Sequence, residues 1–340
     1  NQKGMINSIY DKLNEREILS DGSEGNQLQI FTDKSTYYDT WDIRISEGNK
    51  YIIDDLIEIK YKANGPVYQS IFIKKKFNKS VIEQEIILYE NSSRIDFKTR
   101  VDWQERQMLL KAAFPVDISV DKASYDIAFG NIERPIHKNT SWQKAQSEVS
   151  AHKWVDLSEY GYGVSILNDC KYGYDIKNNQ IRITLLKGGI YPDPEADLGE
   201  HHFTYSLYPH QGDFRSGGTI QEALNLNHSL QAKYLALETK LQESNEILGN
   251  IDSFLKIDQE NVILEALKKA EDGDGYILRV SEAYGMRSKV MIDINIADIK
   301  GVSECDLMEN VLDNNIEIRE KGFSFTIKPY EVKTFRIRFK

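Results

Sequence analysis

Carboxylates and histidines crowd into residues 191–213, which read YPDPEADLGEHHFTYSLYPHQGD. Asp193, Glu195, Asp197 and Glu200 run into the adjacent His201 and His202, with His210 and Asp213 behind them. Such side chains can ligate a metal, share protons as an acid/base pair, or hydrogen-bond the hydroxyls of a ligand. The spacing weakens the metal option. On a strand His201 and His202 point to opposite faces, and neither HxH nor HExxH occurs anywhere in the chain. The plain reading packs one of the two between sheets and leaves the other at the surface. The loop YPDPEADLG (191–199) is different. Pro192 and Pro194 each fix φ and stiffen it, Gly199 lets it turn, and its carboxylates suit a polyhydroxylated ligand. A solvated charged turn is the plainer alternative.

A second cluster is TYYDTWDI (36–43), with Tyr37, Tyr38, Asp39, Trp41 and Asp42. Aromatic faces accept sugar C–H groups while carboxylates take the hydroxyls, and such mixtures line carbohydrate sites. The alternative is a strand end with Trp41 in the core. No glycine-rich phosphate loop, no GxSxG elbow and no Ser/His/Asp arrangement stands out. Glycosidase carboxylate pairs are remote in sequence, so spacing does not reveal them.

The elements that must carry these residues read mostly as strands. Alternation marks 51–63, 67–77, 80–90 and 94–103, separated by turns at Asn64-Gly65-Pro66, Asn78-Lys79 and Asn91-Ser92. Further strands are expected at 27–32, 41–46, 109–118, 124–129, 146–152, 162–168, 180–187 and 202–208. Residues 219–230 suit about two helical turns, and 230–248 fits helix or strand. From about 254 the strand pattern resumes, and six to eight strands suggest a small separate β-sandwich. Ser, Asn, Glu and Gly gather near 232–252, the expected boundary.

The 340 residues are 40% hydrophobic and 11% aromatic, ample for a large core. The net charge of −10 argues against nucleic acid or an anionic membrane as partner, because both need a concentrated basic face. Cys170 and Cys305 sit in no metal-ligand spacing and read as free thiols of a reducing compartment. No apolar run reaches the ~18 residues that span a bilayer. The first residues, NQKGMINSIYDK, carry no apolar signal, so an intracellular protein, or a piece of one, is expected.

The runs AHKWVDLSEYGYGVSILNDCKYGYD (151–175) and YPDPEADLGEHHFTYSLYPHQGDF (191–214) resemble the C-terminal region of α-mannosidases of glycoside hydrolase family 38, of the cytosolic and bacterial type. GMINSIYDKLNEREIL (4–19), LQIFTDKSTYYDTWDI (28–43), FGNIERPIHKNTSW (129–142), ALNLNHSL (223–230) and KPYEVKTFRI (328–337) extend the resemblance over nearly the whole chain. In that family an N-terminal α/β domain holds a zinc site and an aspartate nucleophile, a helical bundle follows, and large β-domains close the chain. Only the last part is matched here, and nothing resembles the family's His-x-Asp zinc motif. The resemblance therefore implies no catalytic residue and no metal ligand in this chain, with zinc in a missing catalytic domain and the isolated chain inactive.

The fold it implies is all-β with very little helix. A galactose-mutarotase-like β-supersandwich occupies 1–233, and a linker plus a small C-terminal β-sandwich occupies 234–340. The implied role is the non-catalytic C-terminal portion of a retaining α-mannosidase, contributing Tyr38, Trp41, Asp42, Asp193 and Asp197 to the mannoside pocket. His201 and His210 are secondary candidates for the same rim. The implied partners are the missing N-terminal catalytic and helical domains of the same polypeptide and an α-mannoside, in the cytoplasm. The β-domains could also build a homo-oligomer. The alternative is a free-standing carbohydrate-binding or mutarotase-like protein, which needs a Glu and a His in a sheet concavity.

Overall fold

The structure is a computed structural model that describes residues 1–35, 38–232, 253, 255–295, 297–313, 316–319 and 321–340. The fold is all-β. One compact unit comprises Asn1–Ile127 and Ile132–Ser229, and a second comprises Ala128–Asn131 and Leu230–Lys340.

Two large antiparallel sheets and a two-stranded ribbon, Tyr10–Asp11 with Arg16–Glu17, make the first unit. The nine-stranded sheet runs in the order Gly130–Pro135, Lys122–Ile127, Trp154–Glu159, Tyr162–Asn168, Gly199–Gln211, Ser92–Trp103, Ser80–Tyr89, Tyr68–Phe77 and Leu56–Asn64. The six-stranded sheet runs Val149–Ser150, Gly173–Lys177, Gln180–Lys187, Met108–Pro115, Gln27–Thr32 and Lys50–Ile52. Leu28, Ile30, Phe114 and Ile183 from the smaller sheet share one core with Ile82, Phe97, Val164 and Tyr205 from the larger. At its centre Phe97 stacks on Tyr205 at 5.1 Å and lies 5.4 Å from Phe114. Removing a ring such as Phe97 would cost about 3–5 kcal/mol, because the cavity left behind adds to the lost transfer energy.

Register decides where the connecting loops emerge. Strand Met108–Pro115 lies between Gln27–Thr32 and Gln180–Lys187 and is antiparallel to both. The outer two are therefore parallel to each other. They end level, with Thr32 opposite Met108 and Lys187 opposite Leu109. Segments 33–49 and 188–198 must leave the same end of the sheet, beside the turn that joins Trp103 to Met108.

Several expected strands differ. Residues 41–46 form no strand, and Gln27–Thr32 pairs instead with Lys50–Ile52. The alternating run 51–63 changes sheets: Lys50–Ile52 belongs to the smaller one and Leu56–Asn64 to the larger. Buried Ile53 marks the crossing. Within 146–152 only Val149–Ser150 is extended, after a short helix Ser141–Ala145 whose Thr140 and Gln143 form a capping box. Helix Thr219–Asn227 answers the expectation for 219–230. It packs on strands Trp154–Glu159 and Tyr162–Asn168, which explains why all seven residues of the latter are buried. Most of 230–248 lies outside the described residues.

In the second unit, a four-stranded sheet (Leu255–Ile257, Ser288–Ile294, Gly322–Ile327, Glu317–Arg319) and a five-stranded sheet (Val262–Lys269, Tyr276–Glu282, Val332–Phe339, Ile299–Cys305, Val311–Asp313) enclose a core of Leu278, Ile292, Phe323 and Phe335.

Candidate functional site

The two loops that share an end of the six-stranded sheet are locked together by one buried acid. The Asp39 carboxylate is 3% exposed and accepts the backbone N–H groups of Ile190 at 3.0 Å and Tyr191 at 2.9 Å. The Thr40 hydroxyl donates to the Tyr191 carbonyl. The approach is close enough to require glycine. A Cβ on Gly189 would sit 2.9 Å from Thr40 Oγ1, and one on Gly188 would sit 2.3 Å from the Glu105 carbonyl oxygen.

Further bonds pin each loop to the frame. Lys187, the last residue of its strand, pairs with Asp33 and donates to the Asp42 carbonyl at 2.9 Å. Asp33 in turn accepts from the Arg44 backbone N–H at 2.7 Å. Farther along, Glu47 meets the buried Arg182 guanidinium at 2.7 Å, and Arg182 pairs with Asp175 at 2.6 Å. On the other loop, Arg106 Nε donates to the Pro194 carbonyl at 2.9 Å. The Tyr191–Pro192 peptide is cis.

Above the latch stands an aromatic trio. The Tyr38 ring packs edge-on against Trp41 at 5.7 Å and against Tyr191 at 5.5 Å. All three are exposed, Trp41 at 69%. A soluble surface normally hides such area, and exposed aromatic faces beside carboxylates are suited to a sugar ring.

The acids expected at the rim differ in how committed they are. Asp42 is half-buried, and its carboxylate already accepts from Arg44 Nε at 2.7 Å and from the Ser35 hydroxyl at 3.3 Å. The Arg44 guanidinium holds its carboxyl below the usual carboxylate range. Asp193 is exposed and caps its own loop by accepting the Glu195 N–H at 2.9 Å. Asp197 is half-buried, and burial pushes its carboxyl up.

The histidines divide three ways. His201 is half-buried, its Nε2 on the Asp197 carbonyl at 2.9 Å, so it supports the acidic loop from behind. His202 is exposed and pairs with Glu200 at 2.6 Å. Arg100 and His202 together pull Glu200 down to about 2. His210 does not reach the loops at all. It is buried, with Nε2 2.8 Å from Asp156 Oδ2 and 3.1 Å from Ser165 Oγ. Two glycines make room for its ring: a Cβ on Gly163 or Gly217 would come within 2.4 Å of it. Ser165, His210 and Asp156 are the residue types of a catalytic triad, but Ser165 and Asp156 share one ring nitrogen and no substrate can reach them, so the cluster is structural. Among the described residues, no group of three His, Cys, Asp or Glu side chains gathers as a metal site.

Reading the sequence placed Asp39 and Tyr191 within the two clusters without giving either a role, and passed over Gly188 and Gly189. Tyr191 carried a signal, being an aromatic at the head of a proline-stiffened acidic loop. Asp39 carried none, since its bonds reach across 151 and 152 residues of chain.

The sequence profile described as "Glycosyl hydrolases family 38 C-terminal domain" matches residues 1–195. The chain belongs to glycosyl hydrolase family 38. A second profile, "Glycosyl hydrolases family 38 C-terminal beta sandwich domain", matches residues 261–335 of this family 38 chain. It is 37% identical over 353 residues to "Alpha-mannosidase G" of Dictyostelium discoideum, an alignment covering 98% of this chain and 31% of that protein. It is 32% identical over 336 residues to human "Alpha-mannosidase 2C1", covering 97% and 31%. The chain thus spans about a third of the length of the curated relatives it matches. The fold matches the crystal structure of an α-mannosidase from Enterococcus faecalis with a TM-score of 0.76 at 17% identity, covering 100% of this chain and 41% of that one. No helix among the described residues of this family 38 chain is long and apolar enough to cross a membrane.

Proposed function

We propose that this chain is the non-catalytic C-terminal portion of a retaining α-mannosidase, packing on the catalytic domain of the same polypeptide and lending one wall to its mannoside pocket. The observation that carries the reading is the Asp39 latch, which holds two remote loops as one rigid rim beneath an exposed aromatic trio. In the proposed enzyme a carboxylate elsewhere in the polypeptide attacks the anomeric carbon, and a second carboxylic acid protonates the leaving oxygen. The rim supplies position. Trp41 and Tyr38 offer faces to sugar C–H groups, and Asp193 and Asp197 accept from hydroxyls. Asp42 orients Arg44 as well as facing the ligand. Holding a sugar in its reactive pose contributes to rate through geometry alone.

The family's zinc belongs to the rest of the polypeptide. The side chains described here do not fit it, because His201 is committed to the Asp197 carbonyl, His202 to the Glu200 carboxylate, and no third ligand joins them.

An apolar face supports docking. Ile59, Tyr61, Ile71 and Leu88 are exposed on the side of the nine-stranded sheet that also carries Ile73 and Ile82 inward. The remainder of the polypeptide, about two thirds of its relatives' length, is the proposed cover. The unpaired Cys170 and Cys305 support a cytoplasmic setting.

The test is turnover of an aryl α-mannoside. The isolated chain is expected to show none, with or without added zinc, and Trp41→Ala in the intact enzyme is expected to raise KM roughly tenfold. Turnover by the isolated chain, or an unchanged KM, would overturn the reading.

A further inference from the structure

A cleft of about 380 Å³ opens in the first unit, lined by His152, Lys153, Asn168, Asp169, Tyr172 and Asn227 among others. Its size falls within the ~300–1,000 Å³ of small-ligand pockets, and it shares no lining residue with the rim.

Much of the backbone around it is engaged. The Lys153 N–H donates to Asp126 at 2.8 Å and the His152 N–H to the Asp126 carbonyl at 3.0 Å. Buried Asn168 donates to the His152 carbonyl at 2.7 Å and to the Tyr174 hydroxyl at 2.6 Å, and its side-chain oxygen accepts the Lys171 N–H at 2.7 Å. Asn227 Nδ2 ties the helix end to the Asn168 carbonyl at 3.0 Å. Asp169 accepts the Thr204 N–H at 2.9 Å. These bonds fix the walls before any ligand arrives, which lowers the ordering cost of binding.

The side-chain tips are different. The His152 ring nitrogens, the Lys153 ammonium, the Tyr172 hydroxyl and the Asn227 side-chain oxygen have no protein hydrogen-bond partner among the described residues. His152 and Tyr172 meet edge to face at 6.0 Å, and both line the cleft.

We propose that this cleft is a second carbohydrate site, taking one neutral hexopyranoside. Tyr172 and His152 meet the C–H face of the ring. Lys153 and the Tyr172 hydroxyl donate to its hydroxyl oxygens, while Asn227 and Asp169 accept its hydroxyl protons. A phosphate or carboxylate ligand fits worse, because the single Lys153 ammonium shares the cleft with the Asp169 carboxylate. The site does not depend on the rim: its residues come from the 150–153 and 168–172 segments and the end of the helix.

The test is saturation-transfer NMR of the chain with methyl α-glycosides of mannose, glucose and galactose, and with inorganic phosphate added as an anionic competitor read by loss of the glycoside signal. The variants are Tyr172→Ala, Lys153→Ala and, as the rim control, Trp41→Ala. Tyr172 is exposed at 55%, and none of the three tips holds the fold. Millimolar binding of at least one glycoside is expected, weakened roughly tenfold by Tyr172→Ala and retained in Trp41→Ala. A high-mannose oligosaccharide that binds more tightly than its methyl glycoside would name a substrate branch as the source; equal binding would name a free sugar, and both support the site. No glycoside binding in the Trp41→Ala background, binding unchanged in both Tyr172→Ala and Lys153→Ala, or a preference for phosphate would overturn it. Failure of the rim reading shows separately, as an unchanged KM in Trp41→Ala.

Discussion

Replacing Asp39 by alanine removes the latch without touching any exposed side chain of the rim. Two backbone N–H groups, on Ile190 and Tyr191, lose a carboxylate acceptor at 3.0 and 2.9 Å. A hydrogen bond to a charged group is worth about 1.5–3 kcal/mol. The loops lie near water, which will take up part of the loss, so about 2–4 kcal/mol is expected for the pair. That energy holds one loop to another and not the core together. Local opening should therefore register it more fully than the melting temperature, which for a unit this large moves only about 2–4 °C per kcal/mol. Amide hydrogen exchange is the direct assay. At roughly 1.4 kcal/mol per decade, protection of the Ile190 and Tyr191 amides should fall about 30- to 700-fold. Strand amides such as Ile183, whose register partner is Ala112, should not change. Asp39→Asn keeps one acceptor oxygen and should fall between wild type and alanine. Unchanged protection at 190 and 191 in Asp39→Ala would show that the loops are held by the Thr40 and Lys187 contacts, and the latch argument would be wrong.

Gly188→Ala should destabilise the first unit by about 1–3 kcal/mol, more than Gly189→Ala, because its Cβ meets backbone at 2.3 Å where the other meets a side-chain hydroxyl at 2.9 Å; urea unfolding compares them, and equal midpoints would contradict the geometry. Lys75 is 1% exposed with one long bond, 3.3 Å to the Ile53 carbonyl, and burial pushes its ammonium from 10.5 down to about 8. Unfolding therefore takes up a proton between about pH 8 and 10.5, so stability contributed at this site rises with pH across that window, by about 3 kcal/mol in all. Lys75→Met should lack that slope, and parallel curves for the two proteins from pH 7.5 to 10 would refute the assignment.

Strands with a wet and a dry face were legible because alternation reports them directly. The segments 80–90, 94–103 and 180–187 each stand within a residue or two of Ser80–Tyr89, Ser92–Trp103 and Gln180–Lys187. The same signal misled at 41–46, where Trp41, Ile43 and Ile45 alternate in a loop held by Asp33 and Lys187. It also hid the change of sheet after Ile52, since alternation is indifferent to which sheet a strand joins. The aromatic and acidic loops were visible as compositions, but their meeting was not. It follows from the shared central strand Met108–Pro115, and register is set by pairings across the whole unit. Asp39 and Asp42 look alike in TYYDTWDI; one is buried under the rim and the other lies on it, and nothing local separates them.

The latch has a practical corollary for protein engineering. Its acceptor and its donors lie on segments some 150 residues apart in the chain, so neither loop carries a complete fastening. A chimera that imports a relative's 188–198 segment brings backbone N–H donors but keeps the clasp only with glycine at 188 and 189, and one that imports 33–49 keeps it only with an acid at 39. Transplanting both segments together, on the three strands that launch them, keeps the clasp whole while the exposed rings are varied at will. The rim is best regarded as a two-piece cassette whose unit of exchange is spatial, not contiguous.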